Sequence, residues 1–397
     1  MSVVAGDENA RGTNAERHGR LVSTWDLVCY FARLGATGFG GPVVLVERMR
    51  HELHEVRGWV TDADFREAMA LAQMAPGPLA AQVAIYLGWL LGGVYGATLA
   101  GVAFIAPSFI MVMALSAAYV GYSGLPWMRG AFYGVGAAAI ALIAHSAVKL
   151  VRKTARADAL LWTVVGCNAV ITALTEQEMV WVIAASGLAV VMSRSRRTLG
   201  NAGASTSLLV IPPLWLTGIH GPASSDALVP IMGYFAKAGA VVFGSGLAIV
   251  PYLHGGVVGK MGWLTEQQFL DAVAVSMITP GPVVISVAFI GYLVAGPLGG
   301  MAAAIGVFLP VYLFVVLLAR SFKRATERAW VRALVEGVTA AAAGAIVGAA
   351  FVLGRRALID VPTWLFFLVT LLIILRSRRV PEPALLLVAG VAGMALR

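Results

Sequence analysis

The chain says nearly the same thing twice. FARLGATGFGGP opens a block at Phe31 that runs through GW at 58–59 to MAPGP at 74–78. FAKAGAVVFGSG opens a second at Phe235 that runs through GW at 262–263 to ITPGP at 278–282. The offset is constant, since Trp263 − Trp59 and Pro280 − Pro76 are both 204. Past the PGP motifs it slips by one, and Gly88, Pro107 and Arg129 match Gly291, Pro310 and Arg332 at 203. Each copy lies in apolar sequence and interrupts it twice with Gly/Pro clusters. A duplicated apolar unit with paired helix breaks is the pattern of a transporter built from internal repeats.

Composition supports a membrane reading. Of 397 residues, 59% are hydrophobic and 12% charged, and the mean hydropathy is +0.83. Soluble domains carry about twice that charged share. Apolar runs near spanning length recur from Leu21 onward without β-barrel alternation, so an all-α polytopic membrane protein is expected. Residues 1–20 are polar, contain Arg11, Arg17 and Arg20, and lack the apolar core of a signal peptide. They read as a cytoplasmic tail ahead of a first anchor segment. Cys29 and Cys167 lie in apolar stretches without CxxC context and read as buried free thiols. The net charge of +9 comes mostly from short loops, where bases set orientation, with a smaller contribution that favours anions. Basic–aromatic interleaving of the nucleic-acid kind is absent.

The sequence divides into the tail (1–20), a first repeat (21–198), a linker (199–225) and a second repeat (226–397). Loop charges predict that the repeats insert in opposite senses. The loop at 119–128 has no base, whereas its counterpart carries Arg320, Lys323, Arg324 and Arg328. TEQE in the first half faces Arg376, Arg378 and Arg379 in the second, while Arg48, Arg50 and Arg57 face only Lys260. The positive-inside rule then gives an inverted-topology repeat with Gly/Pro-broken helices. Two features oppose it. Lys149, Arg152, Lys153 and Arg156 are mirrored by Arg355 and Arg356, and the odd crossing that inversion needs falls on Leu208–Gly218, which is broken by Pro212 and Pro213. Whether the broken segments cross or re-enter is open at this level.

Candidate binding residues gather at the breaks. Proline within a helix frees backbone carbonyls, which lipid cannot satisfy, so these points must face protein or a watery cavity. A broken helix offers uncapped N–H groups to an anion, and glycine lets an oxyanion approach the backbone. The breaks supply Gly40, Gly41, Pro42, Pro76, Gly77 and Pro78 in the first half, and Gly244, Ser245, Gly246, Thr279, Pro280, Gly281 and Pro282 in the second. Arg33 and Lys237 match across the repeat just before a glycine break, and serve either as anion-binding charges or as snorkelling bases. Gln73, Gln82, Ser276, Thr279 and Ser286 offer hydrogen bonds to an oxyanion or to the freed carbonyls. Glu67 and Asp271 match nine positions before each PGP and read more simply as the polar start of an amphipathic helix. Glu336 and His145 are unmatched and read as candidate proton sites, although Glu336 lies in a helix's first turn, where a carboxylate is simply favoured.

Other chemistries fail. HELH at 51–54 lacks the HExxH spacing of a zinc site, and neither a P-loop nor a Ser/His/Asp set is present, so no metal, cofactor or catalytic residue is expected.

FGGP (39–42), GW (58–59), APGPLAAQVAIYLG (75–88), FGSG (243–246), GWLTEQQFLDAV (262–273) and TPGP (279–282) together resemble the chromate ion transporter family in its long, two-domain form. The resemblance covers most of both halves. It implies a multi-pass protein of the bacterial inner membrane, N-terminus cytoplasmic, that exports chromate, confers resistance and is driven by membrane potential or proton motive force. Val44 and Leu45 depart from the small residue and histidine often found after GGP, which leaves sulfate or another oxyanion as the alternative substrate. A membrane enzyme or assembly factor is the reading from a different class. Expected partners are chromate, with sulfate as competitor, and the lipid bilayer, but no nucleic acid; a homodimer is compatible with the chain.

Overall fold

Helix breakers, more than helix lengths, set the plan of the chain. A computed structural model describes residues 22–39, 41–122, 126–156, 158–175, 180–195, 225–241, 246, 249–319, 329–377 and 380–396. Among these no strand occurs, and four helical segments are long and apolar enough to span a bilayer: Leu79–Tyr122, Trp127–Ala155, Val283–Ala319 and Ala333–Ala357. The proposed crossing at Leu208–Gly218, together with Gly40, Gly244 and Ser245, lies outside the described residues.

The first half starts with α1 (Thr24–Thr37), capped by Ser23, and α2 (Gly41–Arg50), which continues as a π-helical turn over His51–Val56. These elements form a hairpin. Arg48 Nη1 donates to Thr37 O at 3.3 Å near the tip, while Arg57 lies over the Tyr30 ring near the base. A helix of 14 residues rises about 21 Å, short of a hydrocarbon core of about 30 Å. The expected anchor segment is thus one arm of a helical hairpin.

A second hairpin follows. α3 (Asp62–Met74) begins at a reciprocal capping box between Thr61 and Asp64, descends to Ala75–Pro78, and returns as the first arm of α4 (Leu79–Tyr122). Glu67 on the way in faces Tyr86 on the way out. At Gly92 and Gly93, α4 leaves helical geometry (φ −151, ψ 26, then φ 59, ψ −148) and reverses again. The arm over 94–122 then runs back, long enough to cross. The broken segments therefore double back as helical hairpins.

The second half repeats this plan. α8 (Ser225–Val241), α9 (Ile249–Leu253) with the π-helical segment His254–Lys260, and α10 (Glu266–Ile278) lead to α11 (Ser286–Ala319). Its kink at Ala295 and Gly296 (φ −143, ψ 28, then φ 64, ψ −157) copies the first, position for position at the 203 offset. The long arms of α4 and α11 lie side by side. Thr98 Oγ1 meets Tyr312 Oη at 2.7 Å, and a Cβ on Gly300 would lie 2.6 Å from Met113 Sδ. Pairing 98 with 312 and 113 with 300 makes equivalent helices antiparallel, so the halves are related by an approximate two-fold axis and the repeat is inverted.

The remaining helices exchange partners across that axis. α5 (Pro126–Ala155) packs against α13 (Val361–Arg376) and α14 (Glu382–Leu396) of the other half. Reciprocally, α12 (Ala329–Ala357) packs against α6 (Ala159–Thr175) and α7 (Val180–Ser195). Small residues at these crossings bring backbones together, as Gly134 against Ala389 and Gly344 against Val165. The basic pair that spoiled the charge pattern also finds its reason, since Arg356 is ion-paired with Glu266. One expectation is corrected: Cys29 and Cys167 are free, but exposed on outer helix faces, where an apolar thiol can meet lipid.

Candidate functional site

The tip of one half meets the tip of the other. Gly281 N donates to Gly38 O at 2.9 Å, joining the second PGP loop to the first GFGGP loop. Gly281 has φ +98, and a Cβ there would collide with Ser108 Oγ on the long arm of α4. Ser108 Oγ in turn donates to Gly35 O at 3.3 Å. The first PGP loop is placed the same way, with Gly77 (φ +128) against Val311 on the long arm of α11. Each PGP loop thus rests on the opposite half, which puts backbone of both halves at one junction.

A polar cavity of about 330 Å³ runs beside this junction, lined by Tyr30, Arg33, Leu34, Thr37, Arg48 and Glu52. It lies between the arms of the first hairpin. Arg33 and Arg48 bring two positive charges to it, and the Tyr30 hydroxyl is buried without a hydrogen-bond partner. Arg57 stays outside, stacked on Tyr30 at 5.2 Å and Trp59 at 4.7 Å. A cavity with two arginines, a buried hydroxyl and one carboxylate is suited to holding a small anion.

The duplicated position in the second half is filled. Tyr252 stands where Arg48 does, and stacks on Tyr234 with ring centroids 5.5 Å apart. Gly256 stands where Glu52 does, and the Tyr234 hydroxyl occupies the space a side chain there would take, donating to Tyr252 O at 3.0 Å. Lys237, the counterpart of Arg33, is exposed on α8 as Arg33 is on α1, but Tyr252 and Gly256 stand there in place of Arg48 and Glu52. The two cations matched in sequence therefore sit in unlike surroundings.

Gln82, Ser276 and Thr279 bond to backbone at the breaks, while Ser286 Oγ and Gln82 Oε1 are buried without a hydrogen-bond partner among the described residues. Gln82 Nε2 donates to Ala75 O at 3.1 Å and Pro76 O at 2.6 Å, closing the carbonyls that the prolines free. Thr279 Oγ1 donates to Val275 O and Ser276 O, and Ser276 Oγ to Val273 O. Gln73 is exposed at the end of α3. Pro76, Gly77, Pro78, Pro280, Gly281 and Pro282 are buried at the tips, Gly246 is buried beside Val283 and Val284, and Gly41 and Pro42 open the return arm α2. Sequence reasoning missed Tyr30, Thr37, Arg48 and Glu52 as cavity residues. The available signal was the failure of the repeat at 48/252 and 52/256, where a charge in one copy becomes an aromatic or a glycine in the other.

Glu336 is tied up elsewhere. Arg194 pairs with it and with Asp158, the latter at 2.8 Å. The Arg194 hydrogen bond holds Asp158, at the entrance to α6, below the ordinary carboxylate range. A depressed folded value means that this pair stabilises the fold above the unfolded aspartate range of about pH 4, and ceases to do so as pH falls through the folded value. Acidification from pH 6 to 3 is therefore expected to lower the melting temperature less in Asp158→Asn than in the wild type. Equal losses in the two would remove the pair from the acid response.

Comparison with known proteins agrees with this architecture. The chromate transporter family matches residues 25–191 and 229–394, one match per half. The chain is 51% identical to a chromate transport protein of Cupriavidus metallidurans over 92% of this chain and 91% of that one. It is 48% identical to a probable chromate transport protein of Synechococcus elongatus, over 93% and 94%. A chromate transport protein of Pseudomonas aeruginosa is 30% identical over 72% of this chain and 70% of its own length. No solved structure matches. With both halves matched and two relatives covered nearly end to end, this inverted-repeat membrane protein belongs to the chromate transporter family and is a transporter, not an enzyme.

Proposed function

We propose that the protein exports chromate across the bacterial inner membrane, with its N-terminus in the cytoplasm, and thereby confers chromate resistance. The observation that carries this reading is the two-arginine cavity beside the Gly38–Gly281 junction. An anion drawn in by Arg33 and Arg48 arrives near the place where backbone of one half meets backbone of the other, and where movement of one half against the other would open a path. In this reading Gly40, Gly41, Pro42 and the two PGP tips form the path, Arg33 and Arg48 concentrate the dianion at its mouth, and Lys237 plays a lesser part.

The energetics favour the outward direction. An inside-negative potential acts on each charge with about 2.3 kcal/mol per 100 mV, so a dianion gains about 4.6 kcal/mol on leaving. That sustains a gradient of roughly a thousandfold.

Purified protein in liposomes, under an imposed potential and with sulfate as competitor, tests the reading. Chromate should move toward the positive side, and excess sulfate should slow it only weakly. Sulfate movement that equals or exceeds that of chromate would transfer the assignment to a general oxyanion carrier. Failure of either anion to move under any gradient would end the transport reading.

A further inference from the structure

Asp271 is a buried carboxylate that anion binding does not use. It lies on α10 with 3% of its surface exposed. Its Oδ2 accepts from the Tyr119 hydroxyl at 2.7 Å and its Oδ1 from Gln267 Nε2 at 2.8 Å. Tyr119 belongs to the first half and is held edge-on between Phe132 at 5.3 Å and Phe289 at 5.2 Å. Asp271 thus joins the halves through a single hydrogen bond in an aromatic setting.

Among the described residues, its surroundings supply no counter-charge. α10 packs against α5, α11, α14, the long arm of α4, the turn at Val283–Ile285 and the segment His254–Lys260. Of the titratable groups on these elements, Tyr119 is the one that bears on Asp271 among the described residues. His145 and Glu382 both face Lys149. His254 meets Glu266, the other acid of α10, which Arg356 also holds. Burial disfavours the carboxylate charge while the two donors favour it, the balance under which an acid both takes up and releases a proton.

Position gives the proton a consequence. α10 runs directly into the second PGP tip, where Gly281 contacts Gly38 and Ser108. Ser108 lies three turns before Tyr119 on one helix, so the second half's hairpin is pinned to that helix at two points, Ser108–Gly281 and Tyr119–Asp271. Glu67 faces Tyr86 of its own half, and the second-half counterpart of Tyr86 is Phe289, which has no hydroxyl. A buried carboxylate tied across the halves is unlike the polar helix start its sequence position indicated.

We propose that Asp271 is a proton-binding site, loaded and emptied in each transport cycle, that couples anion movement to the proton gradient through its bond to Tyr119. Protonation replaces a carboxylate that only accepts with a carboxyl that also donates, and so changes the cross-half link above the tip. The coupling rests on the oxyanion-transport reading; the proton site itself does not.

Infrared spectroscopy of purified protein during a pH titration tests the site without transport, and a pH-sensitive dye inside chromate-transporting liposomes tests the coupling. The wild type should show a carboxylic-acid carbonyl band that grows on acidification and is missing from Asp271→Asn. Tyr119→Phe should shift the midpoint of that band. Wild-type liposomes should move protons opposite to chromate, and Asp271→Asn, close in shape to the native residue, should carry chromate under a potential with proton movement cut at least tenfold. The same band in both proteins, or equal proton movement, would overturn the proposal. Wild-type liposomes that carry no chromate would defeat the transport reading, while the band would still decide whether Asp271 binds a proton.

Discussion

Arg33→Glu is expected to abolish chromate transport while the protein still inserts and melts normally. Arg33 lines the cavity but makes no ion pair among the described residues, so its removal unpairs nothing in the fold. Its effect on substrate is direct. A unit charge about 5 Å from a dianion, at an effective dielectric of about 40, contributes about 3 kcal/mol, or about a hundredfold in affinity. Arg33→Gln should lose most of that attraction, and raise the chromate concentration for half-maximal rate ten- to a hundredfold once screening at an exposed site is allowed for. Arg48→Gln should behave alike, because Arg48 faces the same cavity from the return arm. Lys237→Gln should change the same quantity less than threefold, since Tyr234 and Tyr252 fill the equivalent space in the second half. Initial rates in liposomes across a chromate series, with melting temperatures measured alongside, separate these variants. Full transport by Arg33→Glu would remove the cavity from the path.

That asymmetry marks the boundary of what the sequence shows. The duplication, the helical class and the inverted sense of the halves were legible because repeats, apolar length and loop charge are local properties. Gly/Pro breaks were legible for the same reason. Their partners were not. Gly281 meets Gly38 across 243 positions of chain, and no spacing within either motif predicts that each PGP loop docks on the opposite half. Arg48 and Arg57 read as loop charges that set orientation, yet one lines a cavity and the other covers two aromatic rings. Gln82 and Thr279 read equally well as substrate donors or as carbonyl caps, and only the folded geometry shows them capping. Where the chain doubles back turned on Gly92–Gly93 and Ala295–Gly296, inside apolar runs that look continuous. Two backbone dihedrals there reverse the chain without disturbing its hydropathy.

Gly281→Ala should be the most damaging single-methyl change in the chain, in both stability and transport. Two costs add at this position. With φ at +98, any L side chain is strained by about 1–3 kcal/mol. The new methyl would also overlap Ser108 Oγ in a packed interior, which adds about 1–3 kcal/mol. Because the strain falls on the residue whose N–H holds Gly38 O, the contact between the halves is lost with it. Gly93→Ala provides the control. Its φ of +59 with ψ −148 is backbone that glycine alone adopts readily, so it carries the same kind of strain, about 1–3 kcal/mol, but no atom lies within 4 Å of the added carbon, and it should cost that share alone and leave transport nearly intact. Adding Ser108→Gly to Gly281→Ala removes the overlap but not the dihedral strain, and should recover the packing share of stability without restoring full transport. Thermal melting and liposome flux on the four proteins decide the matter. If Gly281→Ala transports as well as Gly93→Ala, contact between the tips is dispensable, and movement of the halves must be sought at the crossings of α5 and α12 with their exchanged partners.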